Sequence, residues 1–143
     1  MQEIAEGKRA QLGKRSRKGF TLMEMLIVVA IIAVLVAIAI PIFTTQLNNA
    51  RVEADAANIR SGYATVSATV LTDGTTSDTT YYLKSDGTVS TSSSDATFNC
   101  QGDAKETQNV AGQDLTWSSG STVSYEYNST DQKVEIKITA SSN

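Results

Sequence analysis

The stretch of this chain best placed to do chemistry is Arg17-Lys18-Gly19-Phe20-Thr21-Leu22-Met23-Glu24, because it sets one acid inside an otherwise apolar run. From Phe20 to Phe43 only Thr21, Glu24 and Pro41 are not apolar, and Met25 to Ile40 carries no polar side chain. As a helix rising about 1.5 Å per residue, this run is roughly 36 Å long, enough to cross a bilayer. A carboxylate placed deep in lipid costs about 2.5–3.5 kcal/mol, so Glu24 reads as a functional group. It needs a partner, and nothing within the segment reads as one.

The flanks give the segment a direction. Lys8, Arg9, Lys14, Arg15, Arg17 and Lys18 face only Glu3 and Glu6 in the first eighteen residues. The positive-inside tendency puts that end in the cytoplasm and everything after Phe43 across the membrane. A common secretory signal would end its apolar core at a small-residue cleavage site. Here the core runs on into Pro41-Ile42-Phe43-Thr44-Thr45 without one.

Gly19-Phe20-Thr21-Leu22-x-Glu24, followed by the long apolar run and Pro41, resembles the class III signal of type IV pilins and related pseudopilins. The resemblance covers about residues 14–45, and Met23 and Met25 stand where aliphatic residues are often seen. It implies that a membrane peptidase cuts between Gly19 and Phe20 and methylates the new Phe20 amine. It also implies that Glu24, now near that terminus, takes part in subunit assembly, with Pro41 as a bend or melting point in the helix.

Physical chemistry is consistent with such an arrangement. Cutting exposes an ammonium on Phe20 within i,i+4 reach of Glu24. In a stack of helices Glu24 could instead meet a neighbour's ammonium, and a desolvated pair of that kind specifies register more than it stabilises. The plain alternative is a single-pass anchor whose Glu24 snorkels to the headgroups.

Composition limits the rest. The chain has 143 residues; about a hundred lie outside the leader and the apolar helix, enough for one small core. Beyond Gly19 there are six basic residues (Arg51, Arg60, Lys84, Lys105, Lys133, Lys137) and thirteen acids, a balance of −7, while the leader is +4, which together give the −3 of the whole chain. A surface at −7 does not hold DNA phosphates by bulk electrostatics, so no direct nucleic-acid binding is expected. Cys100 is the only cysteine, so an intrachain disulfide is excluded, unlike the C-terminal loop disulfide of many Gram-negative pilins. With no histidine to serve as its base, Cys100 reads as a small buried residue rather than a nucleophile.

Past the membrane segment, Val52, Ala56, Ile59, Tyr63, Val66 and Val70 recur at helical spacing and predict an apolar stripe. Asn48, Arg51, Asp55, Asn58 and Ser61 fall on the other face, suited to solvent or a subunit contact. Gly62 predicts a local weakness of about 1 kcal/mol relative to alanine. Thr72-Asp73-Gly74 is a stop signal. Pro41 either ends the membrane helix or kinks a continuous one, and we read it as a kink.

Further on, Tyr81-Tyr82-Leu83 and Thr88-Val89 flank Asp86-Gly87 as a short hairpin, and Leu115-Thr116-Trp117 is a candidate strand. Val123, Tyr125 and Tyr127, then Val134, Ile136 and Ile138, alternate with polar residues around a turn at Ser129–Lys133. The fold class expected is therefore α+β: one long N-terminal helix, half membrane-spanning and half amphipathic, packed on a small antiparallel sheet. Its parts are a basic leader (1–19), a transmembrane or filament-assembly helix (20–43), an amphipathic continuation (44–73) and a Ser/Thr-rich head (74–143).

No catalytic constellation is present, so the chain reads as a structural protein and not an enzyme, with no cofactor and no metal expected. Asp73, Asp78, Asp86, Asp95 and Asp103 are scattered through predicted loops without calcium-loop spacing. Asn128-Ser129-Thr130 fits the N-x-[ST] glycosylation pattern, which at a predicted turn is usually chance.

The resemblance implies a prepilin extracted from the membrane into a helical homo-oligomeric filament on the cell surface. Its implied partners are a prepilin peptidase/methyltransferase, an assembly ATPase, a membrane platform protein, minor pilins, and membrane lipid before assembly. Adhesion, twitching motility and DNA uptake are all roles of such filaments. The alternatives are a pseudopilin of a type II secretion or competence apparatus, and a membrane-anchored binding module that forms no polymer.

Overall fold

The computed structural model describes Gly19 and residues 21–142. The chain divides into two units, one ending at Ala39 and the other beginning at Ile40. One helix, α1 (Leu22–Asp73), contributes to both and passes through Pro41 without ending there.

In the first unit α1 is long and apolar enough to cross a membrane. Its large side chains are 42–86% exposed from Leu22 to Phe43, the last two of them, Ile42 and Phe43, lying just inside the second unit. Among the described residues no other element covers them.

The second unit is the head. Here α1 buries Val52, Asp55, Ile59, Gly62, Val66 and Val70, with Ala56 and Tyr63 half-buried beside them. The buried face is thus turned slightly from the expected stripe, and two expectations are corrected. Asp55, assigned to the outer face, is 1% exposed, because three donors of the head converge on its carboxylate. Gly62, expected to weaken the helix, is a socket: a Cβ there would lie 2.2 Å from the Tyr125 hydroxyl oxygen. The helix stops as its sequence indicates. Gly74 turns left-handed (φ +59°) and Thr75 N–H donates to Val70 O at 3.2 Å, the longer bond of a Schellman end.

Six strands follow: β1 (Thr79–Leu83), β2 (Val89–Ser90), β3 (Ala104–Val110), β4 (Gln113–Trp117), β5 (Thr122–Asn128) and β6 (Lys133–Thr139). The larger sheet is antiparallel in the order β2-β1-β5-β6, and β3 and β4 form a separate hairpin. Tyr81 stands opposite Tyr125, which stands opposite Ile136, so one row of side chains covers the helix. Val123, Tyr125, Tyr127, Val134 and Ile136 are buried, while Glu126, Glu135 and Lys137 are exposed, the last two ion-paired at 3.3 Å. Each fully buried side chain such as Ile59, Val66 or Leu83 contributes about 1.5–3 kcal/mol by leaving water. The architecture is α+β, one long helix on small antiparallel sheets, as expected.

The hairpin β3–β4 was not anticipated beyond the strand at Leu115–Trp117. Val110 pairs with Gln113 across a two-residue turn, Ala111-Gly112, with φ of 52° and 79°. Both positive angles make it a primed hairpin turn, normally announced by Asn-Gly or Asp-Gly. The Gln113 side chain also joins the hairpin to the larger sheet: Gln113 Nε2 donates to Val134 O at 3.0 Å, and Ile136 N–H donates to Gln113 Oε1 at 2.9 Å.

Candidate functional site

Gly19 is exposed and non-helical, and α1 starts at Leu22. Phe20 and the basic leader, with the expected cut and methylation, lie outside the described residues.

At the start of the helix Thr21 and Glu24 serve each other. Glu24 N–H donates to Thr21 Oγ1 at 3.2 Å, and Thr21 N–H donates to Glu24 Oε2 at 2.9 Å. This is a capping box, which satisfies two backbone donors that a helix start leaves orphaned. The negative carboxylate also sits at the positive end of the helix dipole. The expectation that the segment holds no partner for Glu24 is therefore corrected: the partner is the Thr21 amide. The T-x-x-E spacing was legible in the sequence and is its sufficient signal.

Below this cap α1 presents apolar side chains on all sides, with Leu26, Ile27, Ala30, Ile31, Val34 and Leu35 lining a shallow apolar groove. Such a surface can insert in lipid or pack on other helices; it offers no nucleophile and no acid–base pair. Pro41 lies within the helix, and the hydroxyls of Thr44 and Thr45 both donate to its carbonyl at 3.0 Å. Glu24 and Pro41 are thus on one helix but separated by many turns, and neither meets the other.

In the head, a group missed from sequence gathers on Asp55. Its carboxylate accepts from Gln101 N–H (2.9 Å), Gly102 N–H (2.8 Å) and Trp117 Nε1–H (3.2 Å). The neighbouring Cys100 thiol is pushed up to about 12 by burial and by the Asp55 charge, which keeps it protonated and inert. Tyr125, whose hydroxyl donates to Ile59 O at 2.7 Å, is likewise shifted upward by burial. These groups hold structure together; none is presented to a ligand.

The loop acids are engaged in their own turns. Asp78 accepts from Ser129 N–H and Oγ–H, and Asp86 from Thr88 N–H and Oγ–H, and both carboxyls are lowered by these bonds. Asn128 Oδ1 takes the amides of Thr130 and Asp131, which fixes the β5–β6 turn at Ser129–Gln132.

Fold and cap together define a class: a capped, lipid-length apolar helix in one unit and a small α+β head in the other. Comparison with known proteins makes the class more specific. The family model described as the prokaryotic N-terminal methylation motif matches residues 14–40. The chain is also similar to the type IV narrow pilus major component PilA5 of Thermus thermophilus, 58% identical over 50 residues, covering 33% of this chain and 43% of that protein. The match thus spans less than half the length of that relative. No solved structure matches the chain significantly. Both findings support a likeness to type IV pilins over part of the chain.

Proposed function

We propose that this chain is a prepilin, the precursor of a type IV pilus subunit. A peptidase cuts between Gly19 and Phe20 and methylates Phe20, and the apolar half of α1 then moves from lipid into a bundle of like helices. The observation that carries this reading is the capped Glu24 at the top of a fully exposed apolar stem. A carboxylate held by its own helix end is already paired in the membrane, so its placement in lipid is affordable. It is also one exchange away from a neighbour's Phe20 ammonium. Both partners are local to the helix start, so the exchange requires no refolding of the head.

In this reading Pro41, which brings no amide to the helix ladder, is where the axis yields. The head forms the filament surface, and peptidase, ATPase, platform protein and minor pilins supply the rest. Adhesion, motility and DNA uptake remain roles of the assembled fibre.

The test is intact mass and N-terminal analysis of sheared surface material from the native host. Abundant chains beginning at N-methyl-Phe20 are expected. Processed chains confined to the membrane fraction would point instead to a pseudopilin, and an uncut chain would leave only a membrane anchor.

A further inference from the structure

The head holds its stretch of α1 unevenly, and the polar ties mark where the hold begins. Residues Pro41–Leu47 are exposed, and among the described residues their side-chain hydrogen bonds return to the helix itself, at Pro41 O. Hydroxyls bonding back to a carbonyl compete with the helix ladder and weaken it. Pro41 has already removed one rung. This turn has low local stability on both counts.

The first tie to the head is Asn48. Its Nδ2 donates to Asp103 O at 3.1 Å, and its Oδ1 accepts from Asp103 N–H at 2.9 Å. One turn on, Gly102 lies against the helix so closely that a Cβ would be 2.6 Å from Val52 N. One turn further, Asp55 takes the amides of Gln101 and Gly102. Asn48, Val52 and Asp55 follow at spacings that put them on one face, and one short segment grips all three.

That segment is itself anchored. Cys100 N–H donates to Ser121 O (2.9 Å), Gly120 N–H to Cys100 O (2.8 Å) and Ser119 N–H to Asp103 Oδ1 (2.8 Å).

We infer that Cys100–Asp103 is a clasp that sets where α1 becomes rigid: unwinding that begins at Pro41 is stopped at Asn48. The clasp acts on the backbone of a single subunit, so the inference is independent of the filament reading. A lost two-bond tie exposes the turn it guarded, and local opening accelerates about tenfold for each bond pair removed.

The experiment is residue-resolved hydrogen exchange on the full chain in detergent micelles. In the native chain, amides of Thr44–Leu47 exchange fast and those from Val52 onward slowly, with the step at Asn48. Asn48→Ala moves the step to Val52, speeding the intervening amides about tenfold. In that variant Val66, Val70 and the β5 amides keep their native rates. Asp55→Asn, which leaves the Asn48 tie in place, keeps the step at Asn48, and only Asn48→Ala combined with Asp55→Asn moves it to Ile59, whose carbonyl Tyr125 holds. Should Asp55→Asn instead release β5 as well, the head has unfolded, and Asn48→Ala alone decides. A native chain without a step at Asn48, or a step unmoved by Asn48→Ala, overturns the clasp.

Discussion

The two halves of α1 are built from the same helix and stabilised in opposite ways. Above Pro41 the side chains are apolar and exposed, and among the described residues the polar side-chain contact there is the Thr21–Glu24 cap. Below it, from Asn48 to Val70, successive turns meet the head through Asn48, Asp55, Ile59, Gly62, Val66 and Val70. The first half has no specifying contact in the head among the described residues; the second is specified by its own chain. Substitutions should therefore separate cleanly into those that affect assembly and those that affect folding.

The sharpest contrast is Glu24→Ala. It is expected to remove the protein from the sheared filament fraction while leaving membrane insertion intact and the head's unfolding midpoint unchanged within about 0.5 kcal/mol. Filaments at native abundance would remove the assembly role.

Gly62→Ala comes next and tests the other half. In a plain helix this change stabilises by about 1 kcal/mol. Here the added methyl meets the Tyr125 hydroxyl, and a loss of about 3 kcal/mol in thermal unfolding is expected, so the sign alone decides. Asp55→Ala leaves the Gly102 and Trp117 donors buried and unpaired and takes the acceptor from the Gln101 amide, at a cost of about 2–3 kcal/mol in denaturant unfolding followed by Trp117 fluorescence. Neither change should disturb insertion of the upper half.

Thr21→Ala removes one arm of the cap and is expected to destabilise the first turn by about 1 kcal/mol, visible as faster exchange of the Leu22–Met25 amides. The smallest effect is on pH dependence and belongs to the head. Asp78 and Asp86 carry folded pKa values below the usual 3.8, so each binds its proton less readily when folded. Their contribution is complete above that value and is lost as pH falls through the lower folded values. Asp78→Asn should lower stability slightly at neutral pH and leave it unchanged below the folded value, and so flatten the acid limb of the stability curve.

Legibility in the sequence followed the same division. The apolar stem, the Gly74 stop, and the rows Val123-Tyr125-Tyr127 and Val134-Ile136 were readable because burial there follows residue type at a fixed period. β3 was not. Its seven residues bury only Ala104 and Val110, its register breaks between Ala104 and Gln108, and its turn is Ala-Gly. Its pairing is therefore specified by backbone geometry more than by side chains. Asp55 escaped for a related reason. It sits at heptad spacing between Val52 and Ile59, but only backbone amides far along the chain make burial of a carboxylate tolerable. Gly62 was read as a defect because its partner, Tyr125, is distant in sequence.

The Gln113 amide has a consequence for how this protein behaves in a crowd. β6 is the outer strand of its sheet, and an outer strand with alternating valine and isoleucine can recruit foreign strands or template its own copies. Gln113 already occupies the Val134 carbonyl and the Ile136 amide, and so mimics one residue of an incoming strand. A stray strand must displace it before the first rung can form. That rung of the edge is occupied by a single side chain from the neighbouring hairpin, so the bonds that join the two sheets also guard part of the outer strand.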